Sequence, residues 1–202
     1  MKALITTKVG MTSTIAENGE VEAITLLLVE PNVISQVKTT ENDGYSAVQV
    51  GTGNAKLGKA LAGHFKLAKI MPKIVREFRV QEITEDLKVG ETINPEVFSV
   101  GDNVSATGIS KGKGWAGTIK RHNFHRGRKT HGGRSYRRPG SIGSMYPQHI
   151  FKGKRMAGQM GHEQVTVRNL KVALIDTDNN VIGIKGAVPG PRKSTVIIRG
   201  TE

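Results

Sequence analysis

Residues 110–160 limit what this chain can fold into more than any other stretch. They hold thirteen of the thirty Lys and Arg residues and none of the seventeen Asp and Glu. The other seventeen basic residues equal the acidic ones in number, so the formal net charge of +13 arises in about a quarter of the sequence. Such a segment repels itself and needs a polyanion to become compact. Ten glycines and the aromatics Trp115, Phe124, Tyr136, Tyr146 and Phe151 are spread between the charges. Apolar residues are too sparse there to offset the entropy of ordering. Arg forks match phosphate oxygens, and aromatic or guanidinium planes stack on unpaired bases. The reading is a nucleic-acid-binding extension, with RNA ahead of DNA. The bland alternative is a solvated basic loop or a disordered tail, but this segment is central and varied in composition.

The remaining residues suffice for a sizeable core. With no Cys, a disulfide scaffold, a thiolate metal site and a Cys nucleophile are excluded, which fits a reducing cytoplasm. The N-terminus has no apolar run of signal-peptide length, and the longest apolar run, 24–29, is far too short to span a bilayer. A soluble, cytoplasmic protein with no membrane partner is expected.

Residues 1–54 read as strands broken by turns at Glu17-Asn18-Gly19-Glu20, Pro31-Asn32 and Asn42-Asp43-Gly44. From Lys56 the period changes. Leu57, Leu61, Phe65 and Ala68 predict an amphipathic helix stopped by Pro72. Residues 73–80 read as a strand, 82–98 as an acidic surface connection, and 100–109 as a strand. Residues 115–122 can form a short helix, and 124–151 reads as extended loop. Strands resume after Gly161, with a turn at 176–180 and a last strand at 195–199. The expected fold is mainly β with minor α: a single closed or nearly closed β-barrel domain over 1–202. A small helix-containing insertion at 55–98 and an extended basic RNA-binding loop at 110–160 interrupt it.

No catalytic constellation is legible. Gly112-Lys113-Gly114-Trp115-Ala116-Gly117 matches Gly-x-Gly-x-x-Gly, but basic residues stand where a dinucleotide fold needs an acid, and no βαβ pattern surrounds it. His122, His125, His131 and His149 lie among thirteen cations with no Cys or carboxylate, which opposes a metal ion. Neither a metal nor another cofactor is expected. What survives is general: Gly amides flanked by Lys111 and Lys113 can cradle phosphate.

Further segments carry a family resemblance. They include Thr7-Lys8-Val9-Gly10-Met11-Thr12, Val29-Glu30-Pro31-Asn32 and Ser110-Lys111-Gly112-Lys113-Gly114-Trp115-Ala116-Gly117-Thr118. Pro139-Gly140-Ser141-Ile142-Gly143, Phe151-Lys152-Gly153-Lys154-Arg155-Met156-Ala157-Gly158-Gln159-Met160-Gly161 and Lys185-Gly186-Ala187-Val188-Pro189-Gly190 follow in order. The chain resembles the bacterial branch of large-subunit ribosomal protein family three. That resemblance implies a six-stranded translation-type β-barrel whose basic loop reaches through ribosomal RNA toward the peptidyl transferase centre. It also implies direct binding to 23S-type large-subunit RNA early in assembly, contacts with neighbouring ribosomal proteins such as fourteen and nineteen, and no catalysis. The chain departs from the family pattern at Trp115, where Phe is common, and at His122, where Trp is common. Gln148 does not align with a glutamine methylated in some relatives, so that modification is not carried over.

The candidate RNA-binding residues are Lys111, Lys113, Lys120, Arg121, Arg126, Arg128, Lys129, Arg134, Arg137, Arg138, Lys152, Lys154 and Arg155 for phosphate. Trp115, His122, His131, Tyr136 and Tyr146 are candidates to stack on or bond with bases, and Gln159 completes the set. Two other classes remain for test: an RNA-modifying or nucleotide-using enzyme with a Gly-rich cofactor loop, and a DNA-compacting basic protein.

Overall fold

The computed structural model describes residues 1–15, 19–81, 83 and 87–201. In chain order the elements begin β1 (Ala3–Ile15), β2 (Val21–Leu28), β3 (Asn32–Lys38), α1 (Thr40–Asp43), β4 (Ala47–Thr52), α2 (Lys59–His64) and β5 (Ile74–Arg79). Then come β6 (Thr92–Ile93), β7 (Asn103–Ile109), β8 (Trp115–Ala116), α3 (Thr118–His122), β9 (Gly158–Gln159), β10 (Gln164–Asp176), β11 (Val181–Lys185) and β12 (Thr195–Gly200). The fold is mainly β with minor α, as the sequence predicts. The chain divides into two compact units: Met1–Ile109 with Gln164–Glu202, and Ser110–Glu163.

In the first unit six strands close into a ring, in the order β1-β12-β7-β10-β11-β2. Closure depends on two long strands that change partners part-way. β1 pairs with β12 through residues 3–7 and with β2 from Thr7 onward, with a register shift between Lys8 and Gly10. β10 pairs with β7 up to Lys171 and with β11 from Val172, with shifts at Val167/Leu170 and Val172/Leu174. A bulge bends a strand and adds twist, which a small closed ring requires. The alternating Val, Ile, Leu and Ala of these strands point inward, and Leu4, Leu27, Val104, Ala106, Ile182, Ile184, Val196 and Ile198 are fully buried. β3 and β4 leave the ring and join a second sheet of order β5-β4-β3-β6. Ile34, Val48, Val50 and Phe78 from that sheet share one apolar core with the ring.

Several sequence expectations change. The predicted 57–68 helix shrinks to Lys59–His64, because Gly58 at its N-cap and Gly63 in its last turn weaken propagation. Phe65 and Ala68 are buried as expected, but Leu61 is exposed. The described part of 82–98 is not merely surface: Ile93 and Phe98 are buried, Thr92–Ile93 pairs with β3, and Pro95–Val97 forms a 3-10 turn. The Glu17-Asn18 part of the first turn lies outside the described residues. Among the described residues no helix is long and apolar enough to cross a membrane.

Two polar devices hold the core. β1 meets β2 only from Thr7, so Ile5 lacks a strand partner on that side. Asn32, fully buried, takes that place. Its Oδ1 accepts from the Ile5 amide at 2.9 Å, and its Nδ2 donates to the carbonyls of Ile5 at 3.0 Å and Glu30 at 2.7 Å. Lys8, also buried, donates to the carbonyls of Val188 (2.9 Å) and Gly190 (3.1 Å), tying the Pro189-Gly190-Pro191 loop to β1. On the second sheet Lys38 Nζ lies 2.8 Å from Glu77 Oε1, and the Tyr45 hydroxyl donates to Glu77 Oε2 at 2.9 Å. The Lys38 hydrogen bond holds the Glu77 carboxyl below its usual range, against partial burial and with help from Tyr45.

Two outcomes follow from these contacts. Asn32→Ala orphans a buried amide and a buried carbonyl, so it lowers unfolding free energy by about 2–3 kcal/mol, read from the urea midpoint at constant slope. Glu77 has a depressed folded pKa, so the unfolded chain binds more protons in that window and stability rises with pH across it. The Glu77 contribution is present above the unfolded carboxylate pKa and lost as pH falls through the folded one. Glu77→Gln therefore flattens the acid limb of the stability–pH curve, and an unchanged limb excludes the network as its source.

Candidate nucleic-acid interface

The unit Ser110–Glu163 contains thirteen cations and a single carboxylate, Glu163. It has almost no interior. Ala116, Thr118 and Gly158 are its buried residues among those described. Its order comes instead from pairing of its two ends. The Ser110 amide donates to the Glu163 carbonyl (2.9 Å), the Lys113 amide to Met160 (2.9 Å), and the Met160 amide to Gly114 (3.0 Å). β8 and β9 then pair antiparallel, Trp115 opposite Gln159 and Ala116 opposite Gly158. Small residues occupy the buried face because the legs lie too close for larger ones. A Cβ on Gly158 would fall 2.6 Å from the Arg121 guanidinium. Gly161 has φ +72°, and a Cβ there would overlap the Lys111 carbonyl oxygen.

This pairing alters the roles read from sequence. The Lys113 amide, which stands between the Gly112 and Gly114 amides of the expected phosphate cradle, is taken by the Met160 carbonyl. Arg121 and His122 are half-buried on α3 and both turn to one acceptor. Arg121 donates to the Met156 carbonyl at 2.9 Å, and His122 Nε2 lies 3.1 Å from the same oxygen. The expected 115–122 helix begins only at Thr118, because Trp115 and Ala116 are taken by β8.

The other candidates divide into three groups. Trp115 is 79% exposed and shares a face with its cross-strand partner Gln159. Beside it an open cleft of about 380 Å³ is lined by Trp115, Thr118, Ile119, Lys120, Arg126 and Arg137 among others. Second, Tyr136 gathers cations: Arg126, Lys129 and Arg137 lie 5.9, 5.8 and 5.5 Å from its ring centroid. Arg126 donates to its hydroxyl at 3.1 Å, and the Gly127 amide donates to its carbonyl at 3.1 Å. Desolvation raises the Tyr136 phenol, but the Lys129 hydrogen bond and the charges of Arg126 and Arg137 outweigh it and leave the phenol below the usual tyrosine range. Third, Arg128, His131, Arg134, Arg138, Lys152, Lys154 and Arg155 are exposed along the distal part, as are Lys111 and Lys113 near the start. Tyr146 is exposed there too, and His149 packs edge-on to Phe151 with centroids 5.5 Å apart. Sequence reasoning missed the Met156 carbonyl as an anchor; the small residues Ala116, Thr118 and Gly158 among large cations were the available signal.

Among the described residues no group of His, Asp and Glu is placed to hold a metal ion. Fold and site thus define a class: a small closed-ring β protein carrying a cationic unit that is ordered at its ends and lacks a core. A family model described as Ribosomal protein L3 matches residues 74–181. The protein named "Large ribosomal subunit protein uL3" from Alkaliphilus metalliredigens (strain QYMF) is 48% identical over 206 residues, covering 100% of this chain and 98% of that one. Its namesakes from Bacillus mycoides (strain KBAB4) and Bacillus cereus (strain G9842) are each 45% identical over 203 residues, covering 98% of this chain and 96% of theirs. The chain belongs to the ribosomal protein L3 family. It is a ribosomal protein and not an enzyme, which removes the nucleotide-using reading of the Gly-rich segment.

Gly161→Ala opens the paired ends. Amide exchange at Lys113 and Met160 then accelerates at least about tenfold, the equivalent of losing about 1.4 kcal/mol of local stability. Unchanged protection contradicts the assignment of that pairing as the unit's main order.

Proposed function

We propose that this chain is a structural constituent of the large subunit of the cytoplasmic ribosome and binds 23S-type RNA directly through the unit 110–163. The observation that carries the reading is the charge. Thirteen cations stand against one carboxylate in a unit that buries almost nothing, so an external polyanion is its natural counter-charge. The relatives' printed names supply the subunit. The cleft beside Trp115 receives one unpaired base on the indole face, while Lys120, Arg126 and Arg137 neutralise the adjoining phosphates. The exposed distal Arg and Lys residues meet backbone phosphate, and Arg121 and His122 hold the unit together with fewer donors left for RNA. Early binding in assembly, reach toward the peptidyl transferase centre and contact with proteins fourteen and nineteen complete the proposal.

Two variants separate base stacking from charge. Trp115→Ala weakens binding to large-subunit RNA by about 1–3 kcal/mol and leaves the salt slope unchanged. The double variant Arg126→Gln, Arg137→Gln lowers the log–log salt slope by about 1–2. Equal losses on duplex DNA, or no loss in either variant, contradict the proposed interface.

A further inference from the structure

The neutral balance outside 110–160 hides a second charge asymmetry. Sixteen of the seventeen carboxylates lie in the ring-containing unit, yet none falls in residues 44–76. That stretch carries Lys56, Lys59, Lys66, Lys69, Lys73 and Arg76, and all six are exposed. They lie on and around α2, in the turns that follow it, and at the start of and within β5. Lys38, Lys2 and Lys185 each pair with a carboxylate, whereas none of these six does among the described residues. Glu77, the next carboxylate in sequence, is already engaged by Lys38 and Tyr45. Glu30 lines the open cleft that Lys69 also lines, without an ion pair to it.

We infer that residues 56–76 form a second RNA-binding surface, on the ring-containing unit, which contacts phosphate backbone without reading bases. A merely solvated face interleaves both signs of charge, whereas here six like charges accumulate without a counter-ion. Five of the six are Lys, a strongly hydrated point charge that suits phosphate and carries no planar fork for base edges. Few rings are exposed among them to stack on a base: Phe65, the one Phe, Tyr or Trp of 56–76, is buried, which leaves His64 as the single exposed ring there. The exposed Leu61, Leu67 and Met71 are single residues interrupted by Lys, and a six-residue helix is too short to lie in a lipid interface. The inference rests on the proposed RNA partner but not on the unit 110–163 as its reader.

The test is lysine acylation of the intact chain, free and bound to large-subunit RNA, read by mass spectrometry at each position. Lys56, Lys59, Lys66, Lys69 and Lys73 are expected to lose at least tenfold in reactivity on RNA binding. The changes at Lys111, Lys113, Lys152 and Lys154 report the 110–163 interface separately, so either surface can fail alone. Full reactivity of the five in the RNA complex overturns the inference. Protection that appears only after acidic protein partners are added also overturns it, since the surface then serves a protein. A full-length variant with all five changed to Gln, exposed and unpaired as they are, is expected to keep its thermal transition. Its salt slope for RNA falls by at least about 2, since each phosphate contributes about 0.7–0.9. A slope equal to that of the parent overturns the inference. If the variant misfolds, the acylation pattern of the parent decides.

Discussion

Mutual repulsion among thirteen cations, with one carboxylate nearby, is the constraint on which the unit 110–163 is built. A segment so charged cannot gather a core, and it does not: Ala116, Thr118 and Gly158 are all that it buries among the described residues. What it can do is fasten its ends. Backbone bonds from Ser110 to Glu163 and between Lys113, Gly114 and Met160 lead into the two-residue strands β8 and β9. Arg121 and His122 then close on Met156. Beyond that point order comes from local devices such as the cations around Tyr136. In the proposed complex with RNA the stem is already formed, so ordering costs on binding fall on the distal part.

The ring faces the opposite problem. Its strands are apolar and numerous, and the difficulty is closure. β1 and β10, thirteen residues each, solve it by bending at bulges and passing from one neighbour to another. Where that exchange leaves Ile5 without a partner on its β2 side, the buried Asn32 amide supplies one. The polar groups of this core are therefore part of its topology, and removing them costs more than their number implies.

The sequence made the strand-rich class, the last four barrel segments and the cationic segment legible, because alternation, turn residues and charge are local signals. The family motifs were equally plain. Long-range pairing was not local and could not be read: β3 and β4 look like further ring strands, yet they build a second sheet with β5 and β6. Helix extent is not legible either, since the apolar period at 57–68 continues past His64 but the helix does not. At the site, Trp115 and Gln159 were named without any sign that they face each other across two strands. Arg121 looked like every other cation, and only the position of Met156 shows that it turns inward. The neutral total of the residues outside 110–160 conceals the six cations of 56–76, and sequence alone does not show that they stand without a carboxylate partner.

The cationic unit is proposed as the principal RNA-reading element. The most direct measurement is a salt titration of binding to large-subunit RNA, with duplex DNA as competitor. The intact chain is compared with one in which residues 110–160 are replaced by a short Gly-Ser linker. The replacement is expected to remove most of the log–log slope while the ring keeps its thermal transition, and RNA is expected to outcompete DNA for the intact chain. A slope that survives the replacement, or equal competition by DNA, contradicts that proposal.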